Sequence, residues 1–172
     1  MDNSEIQSVL KILGERVPPS SRLILVGGSA LILLGSPRLT IDIDFIGDDT
    51  SPNELHKTIM RVARELKIYV EPVAIERFIP LPEGSNKRNI RIGQFGNLEV
   101  FVADPYSISL SKLDRGFDTD FDDIIFLVKR RLIDIEELDR IMRKALLRAR
   151  EFDMNATEVL AHFQVLKERL TR

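Results

Sequence analysis

Two aspartates, Asp42 and Asp44, alternate with apolar residues in the segment TIDIDFIG. Alternate residues of a β-strand share a face, so the two carboxylates are predicted to project together, about 6.6 Å apart along the strand. Carboxylates held side by side repel each other, and a divalent cation between them relieves the repulsion. Oxygen ligands of this kind favour Mg²⁺ or Mn²⁺. The pair indicates a metal site, although the same alternation is typical of an exposed strand whose acids face water.

A glycine-rich turn precedes the aspartates. Gly27, Gly28 and Ser29 follow the apolar segment RLILV and precede ALILLG, a pattern that predicts a strand, a turn and a helix ending at Gly35. Glycine lets backbone amides approach a ligand closely, and a serine adds a hydroxyl donor. The turn is either a phosphate site or only a tight connection. No lysine follows as in a phosphate loop, and the GxSxG nucleophile elbow is absent.

The elements that must position these groups suggest an α+β fold: a small mixed β-sheet core with helices, followed by a C-terminal helical bundle. We expect two regions, 1–104 and 105–172, because the chain reads as wholly helical after Asp104-Pro105. Hydrophobic periodicity predicts helices near 4–17, 30–35, 52–66, 106–115, 119–131, 135–150 and 156–170, and strands near 22–26, 40–47, 89–93 and 97–103.

Composition excludes several function classes. The net charge of -2 gives no overall attraction to nucleic acid or to acidic membranes. Without cysteine the chain has no disulfide, zinc–thiolate site or thiol nucleophile. The longest apolar run, Leu23 to Gly35, is too short to span a bilayer, and the polar start is not a secretory signal. We therefore expect a cytoplasmic protein with no membrane partner.

The segment GGSALILLGSPRLTIDID resembles the nucleotidyltransferase superfamily related to DNA polymerase beta. The resemblance implies that the Gly27–Ser29 turn holds a nucleoside triphosphate, and that Asp42 and Asp44 bind two Mg²⁺ or Mn²⁺ ions. Arg38 and Thr40, just before the aspartates, resemble the small prokaryotic group of abortive-infection and type IV toxin nucleotidyltransferases. This implies nucleotide-binding roles for both, with capping of the preceding turn as the alternative for Arg38.

The resemblance also implies a third metal-binding carboxylate on a later strand. Glu99 in NLEVFVA is the best match, because Leu98 and Val100 are expected to face inward and Glu99 outward. The alternative is that Glu99 is an ordinary exposed strand residue. Asp104 precedes Pro105 and is expected to cap the next helix instead.

A second part of the resemblance lies in SKLDRGFDTDFDDIIFL. Toxin-like members carry a lysine on one helix and a Thr/Arg-Asp-x-x-Asp element on the next, which Lys112, Thr119, Asp120 and Asp123 match. The resemblance implies that Lys112 contacts a phosphate as a catalytic residue, with Asp120 and Asp123 orienting it or the acceptor. The alternatives are a solvated lysine and a helix start capped by Thr119 and Asp122.

The resemblance implies that the chain is a metal-dependent enzyme that transfers a nucleoside monophosphate from a nucleoside triphosphate to an acceptor. The resemblance implies that the acceptor is an RNA end, such as a tRNA 3′ end, or a protein, and that the chain is a toxin with an antitoxin partner. The alternative is a catalytically silent binding or regulatory subunit. Base choice is encoded in no motif, and we expect the base pocket within residues 68–94.

Basic and histidine residues add little to this prediction. The segment RIMRKALLRAR offers cationic side chains to RNA, or it is the solvated face of an amphipathic helix. His56 and His162 lie on predicted helices without partner motifs and are expected to be surface or core residues.

Overall fold

The structure, a computed structural model, describes residues 1–172 and confirms an α+β fold. Five strands form one sheet: β1 (Ser21–Val26), β2 (Asp42–Ile46), β3 (Tyr69–Val73), β4 (Ile90–Phe95) and β5 (Leu98–Val102). The α-helices are α1 (Asn3–Arg16), α2 (Gly27–Leu33), α3 (Glu54–Leu66), α4 (Pro105–Arg115), α5 (Asp118–Lys129), α6 (Ile135–Leu146) and α7 (Ala156–Leu170). None of these helices is both long and apolar enough to cross a membrane.

The chain divides into two compact units. The sheet unit comprises Met1–Ala74 and Asn89–Ala103, and the helical unit comprises Ile75–Arg88 and Asp104–Arg172. The predicted regions, 1–104 and 105–172, differ from these units mainly in residues 75–88, which group with the helices. An ion pair explains this grouping in part, because the Arg88 guanidinium lies 2.9 Å from the Asp104 carboxylate.

The sheet unit is built on a mixed sheet in the order β3-β2-β1-β5-β4. Central β1 pairs antiparallel with β2 and parallel with β5, whereas β2 and β3 are parallel. The β2–α3–β3 segment is therefore a βαβ unit that ends in an edge strand. Pro72 lies in β3, a position that an edge strand tolerates because one side of its backbone is unpaired.

One face of the sheet carries the apolar layer of this unit. Ile43 and Phe45 of β2 are buried there together with side chains of α1 and α3. Ile41 precedes the strand, which begins at Asp42, and its side chain is 80% exposed. The polar alternate residues of β2 consequently project from the opposite face.

The helical unit begins at a well-defined cap. The Asp104 carboxylate accepts hydrogen bonds from the backbone amides of Tyr106 and Ser107, and Pro105 takes the first position of α4. This confirms the capping role expected for Asp104. Helix α6 ends at Leu146, four residues before the predicted end, and a short 3-10 turn follows at Ala149–Phe152.

Candidate metal and nucleotide site

Three carboxylates converge on the polar face of the sheet. Asp42 and Asp44 of β2 share that face, and strand pairing places Glu71 of β3 directly beside Asp44. One oxygen from each of the three side chains lies within 4.8 Å of the others. The two aspartates are half-buried and Glu71 is exposed. Three hard oxygen donors at this separation suit a divalent cation, so we call Asp42, Asp44 and Glu71 the carboxylate cluster.

The glycine turn lies against this cluster. Pairing of Val26 with Asp44 brings the end of β1 beside the aspartate. Gly27 adopts φ +67°, and a Cβ on it would lie 2.1 Å from Asp44 Oδ2. A Cβ on Gly28 would lie 3.0 Å from Thr40 Oγ1 and 3.3 Å from the Arg38 guanidinium carbon. Glycine is therefore required at the first position and favoured at the second, and the turn forms one wall of the site.

The residues that precede β2 support the carboxylates. Thr40 is buried, and its hydroxyl donates a hydrogen bond to Asp42 Oδ1 at 3.0 Å. This bond fixes the orientation of the Asp42 carboxylate. The Arg38 side chain folds back so that Nε donates to the carbonyl of Leu39 at 3.4 Å. Its guanidinium carbon lies 3.3 Å from the position of a Cβ on Gly28, so Arg38 packs against the glycine turn.

Ser29 has a local structural role in this geometry. Its side chain is buried, and its hydroxyl donates to the Val26 carbonyl at 3.3 Å. The bond ties the first turn of α2 to the end of β1. Contact between Ser29 and a phosphate remains a prediction.

The structure does not bring Glu99 to the cluster, so the predicted third carboxylate is corrected. Glu99 pairs in register with Arg22, four residues before the Val26 that pairs with Asp44. That separation is about 13 Å along β1. Glu99 instead lies 3.7 Å from Arg22 Nε and 3.6 Å from the guanidinium of Arg91, two cations that balance its charge.

Glu71 occupies the position that Glu99 was expected to fill. Its segment, YVEPV, escaped sequence prediction because Pro72 interrupts the strand pattern. A usable signal was the order of elements. A strand followed by a helix over 52–66 predicts that the next segment is a strand parallel to the first. In the structure this strand is β3, and its Glu71 pairs with Asp44.

Lys112 anchors a buried ion-pair cluster inside the helical unit. Its ammonium lies 3.2 Å from Asp120 Oδ1 and 2.8 Å from Asp123 Oδ2, and all three side chains are buried. Arg115 adds a contact of 2.6 Å to Asp120. The solvated alternative for Lys112 is therefore wrong, and the two aspartates do orient the lysine. Its contact with a phosphate stays a prediction, as do the nucleotide-binding roles of both aspartates.

The start of α5 also differs from the predicted cap. The helix begins at Asp118, and Asp120 Oδ2 accepts a hydrogen bond from the Phe117 amide at 3.2 Å. Thr119 thus lies inside the first turn and not at the cap. Asp122 points toward Arg169 at 4.0 Å.

Each histidine contacts residues of the fold, and His56 is a core residue, one of the two outcomes expected for it. His56 is buried, lies 3.2 Å from Asp49 and packs edge-on against Phe45 with ring centroids 5.2 Å apart. His162 Nδ1 lies 2.6 Å from the carbonyl of Leu113 and therefore donates to it.

Ion pairs occupy the basic face of the C-terminal segment. Arg143 lies 2.8 Å from Asp139, and Lys144 lies 3.1 Å from Glu83. A hydrogen bond to Glu151 raises the pKa of Arg148, and the same bond lowers the pKa of the Glu151 carboxyl. These pairs favour the solvated-helix interpretation of this segment over an RNA surface.

Comparison with known proteins agrees with the geometry of the site. The model of a family described as "Nucleotidyltransferase of unknown function (DUF6036)" matches residues 4–171. No curated protein and no solved structure matches the chain significantly.

Proposed function

The chain belongs to this nucleotidyltransferase family, and from that premise we propose that it transfers a nucleoside monophosphate from a triphosphate to an acceptor hydroxyl at the carboxylate cluster. One observation carries the proposal. The ligand oxygens of Asp42, Asp44 and Glu71 converge within 4.8 Å beside a turn that requires glycine at Gly27. Carboxylates bind divalent cations, and backbone amides of a glycine turn bind phosphates. A site with both suits a complex of a triphosphate with divalent cations.

Each residue of the site has a distinct task in this proposal. Asp42 and Asp44 hold the divalent cations, for which we propose Mg²⁺ or Mn²⁺, and Glu71 completes the ligand set from the neighbouring strand. When bound, such cations neutralise triphosphate charge and lower the pKa of the acceptor hydroxyl. Thr40 keeps the Asp42 carboxylate in one orientation through its hydrogen bond.

The glycine turn and its neighbour bind the triphosphate in this proposal. The two glycines let the turn pack closely against Asp44 and Thr40, so phosphates bound at the cluster would lie against the backbone of the turn. Arg38 supplies a fixed positive charge near Gly28, which suits phosphate recognition.

The reaction is a single displacement at the α-phosphorus. The acceptor oxygen forms a bond to this phosphorus, and the bond from phosphorus to the pyrophosphate oxygen breaks. Pyrophosphate leaves with the bonding electron pair, and the hydroxyl proton passes to solvent. The chain supplies positioning and charge neutralisation, as phosphoryl transfer generally requires.

A labelled triphosphate tests the proposal. The protein is incubated with Mg²⁺, total RNA or cell lysate, and each triphosphate labelled either at the α- or at the γ-phosphate. We expect label in the acceptor from the α-position only, and loss of at least about 100-fold in the rate with Asp44→Asn. If the wild type transfers no α-label, the chain is a silent binding subunit instead. If Asp44→Asn transfers the label as well as the wild type, the carboxylate cluster is not the site of the reaction.

Glu71 and Glu99 provide a matched pair for the same assay. Both are strand glutamates on the polar face of one sheet, and only Glu71 belongs to the carboxylate cluster. Glu71→Gln is expected to lower transfer by at least about tenfold, whereas Glu99→Gln stays within about twofold of wild type. The reverse order would restore Glu99 as the third ligand.

We further propose the toxin role that the family resemblance implies, with an antitoxin protein as partner. Modification of a free RNA or protein hydroxyl blocks its later use, so expression of the active chain should arrest growth. Arrest by the wild type but not by Asp44→Asn supports this role. If expression of the wild type does not affect growth, the toxin role is wrong, but the proposed transfer reaction is not contradicted.

A further inference from the structure

Tyr69 is an exposed aromatic side chain at the edge of the carboxylate cluster. It is the first residue of edge strand β3 and pairs in register with Asp42. Paired residues on neighbouring strands project from the same face, about 4.8 Å apart. Tyr69 therefore stands on the cluster's own face, two positions before Glu71, and its side chain is 75% exposed.

The order of the strands gives the two sides of the cluster different roles. The glycine turn borders Asp44 from the β1 side, and the proposed function places the phosphates against this turn. Strand β3, with Glu71 and Tyr69, borders the aspartates from the other side. In a displacement at phosphorus the entering and leaving oxygens lie roughly in line. A leaving pyrophosphate on the β1 side therefore requires an acceptor that enters over β3.

We propose that Tyr69 is the stacking platform for the terminal base of an RNA acceptor, whose ribose hydroxyl then lies over Glu71. This rests on the proposed transfer reaction and narrows its acceptor to a nucleic acid end. An aromatic ring offers a flat surface to any nucleobase, and stacking of this kind tolerates sequence. The acceptor oxygen still bonds to the α-phosphorus, pyrophosphate still leaves, and the proton still passes to solvent. Tyr69 is a positioning residue and touches none of the reacting atoms.

The composition of the chain allows a direct optical test. It contains two tyrosines and no tryptophan. The second tyrosine, Tyr106, lies in the helical unit, where its hydroxyl accepts a hydrogen bond from the Asp134 amide at 3.0 Å. In the full-length Tyr106→Phe variant, Tyr69 is the sole tyrosine, and stacking of a base on its ring is expected to quench its fluorescence.

The probe is a short single-stranded RNA with a 3′-hydroxyl, compared with the same RNA lacking its terminal base. We expect quenching by the intact RNA and markedly less by the abasic RNA, in the presence of Mg²⁺ and without triphosphate. No quenching up to about 1 mM RNA, or equal quenching by both, overturns the proposal. This readout does not depend on turnover.

Transfer kinetics supply the second arm. Tyr69→Ala is expected to raise KM for the RNA about tenfold with KM for the triphosphate unchanged, whereas Tyr69→Phe keeps the ring and stays within about twofold. Leu160→Ala removes an apolar side chain of α7 that is 39% exposed and should change neither constant. A rise in KM for the triphosphate would assign Tyr69 to the nucleotide and overturn the proposal.

The two proposals fail in different ways. Absence of α-label transfer by the wild type defeats the proposed function, whatever the fluorescence shows. Transfer to RNA that is equally efficient in wild type and Tyr69→Ala defeats the stacking proposal alone. Transfer to protein in place of RNA also defeats stacking and preserves the chemistry.

Discussion

Neutralising the carboxylate cluster should stabilise the protein when divalent cations are absent. The ligand oxygens of Asp42, Asp44 and Glu71 lie within 4.8 Å of one another. Two unit charges at that distance repel by about 0.9 kcal/mol in water, and by about four times more where the effective dielectric constant is 20. Three such pairs give about 3 kcal/mol even with the value for water. Asn and Gln keep the shape and the acceptor oxygens but remove this repulsion.

The assay is thermal unfolding followed by circular dichroism, in EDTA and then in excess Mg²⁺. The triple variant Asp42→Asn/Asp44→Asn/Glu71→Gln should melt about 5–10 °C above the wild type in EDTA, since 1 kcal/mol shifts Tm by about 2–4 °C at this size. Mg²⁺ at ten times its dissociation constant should stabilise the wild type by about 1.4 kcal/mol and leave the variant unchanged. Adding Mg²⁺ should therefore reduce the difference between the two Tm values by about half.

Glu99→Gln is the matched control for this experiment. Glu99 lies near Arg22 and Arg91, so its neutralisation removes attraction and not repulsion. It should not raise Tm in EDTA, and Mg²⁺ should stabilise it as it does the wild type. If the triple variant melts at or below the wild type in EDTA, or if Mg²⁺ shifts both proteins equally, the three carboxylates do not form a cation site.

Three further outcomes follow from individual side chains. Gly27→Ala adds a Cβ 2.1 Å from Asp44 Oδ2 at a residue with φ +67°. Nucleotidyl transfer should fall at least about tenfold, while the circular dichroism spectrum stays that of the folded protein. Unchanged transfer would contradict the role of the glycine turn as a wall of the site. Lys112→Met removes the buried ammonium that contacts Asp120 and Asp123, and should cost about 3–5 kcal/mol in denaturant unfolding. The exposed ion-pair control Arg143→Met should cost less than about 1 kcal/mol, and equal costs would refute the buried cluster. Burial raises the pKa of Asp114 above its usual 3.8, so the folded state binds this proton more tightly than the unfolded state, and stability falls as pH rises through the folded pKa. Asp114→Asn should therefore raise Tm at neutral pH but not below pH 3.8. A Tm difference between variant and wild type that does not depend on pH would contradict this prediction.

The residues that sequence reasoning placed together are those close to one another along the chain. Gly27, Gly28, Thr40 and Asp42 lie within one strand–turn–helix–strand segment. Periodicity predicted these elements, and the family resemblance of the segment implied that the residues share one site. The third carboxylate depends on which strand pairs with β2, and sequence periodicity does not specify strand order. Glu99 alternates with apolar residues of its strand, as a metal ligand on a strand would. Its distance from the two aspartates follows only from the pairing of β5 with β1, which the sequence pattern does not show.

Two other differences have local physical causes. Pro72 hides strand β3 because proline is disfavoured in strands, yet an edge position removes that penalty. Lys112 and its aspartates resemble a solvated helix face when they are read by charge alone. Tertiary packing buries these side chains, and the two ion pairs of Lys112 make the burial possible because they neutralise its ammonium. The spacing of charges along the sequence does not reveal this packing.

Anomalous diffraction from crystals grown with Mn²⁺ and a non-hydrolysable triphosphate tests the central claim most directly. The account predicts manganese within about 2–2.3 Å of carboxylate oxygens of Asp42, Asp44 and Glu71, with the phosphates against Gly27 and Gly28. Manganese bound elsewhere, or phosphates held away from the glycine turn, would contradict it.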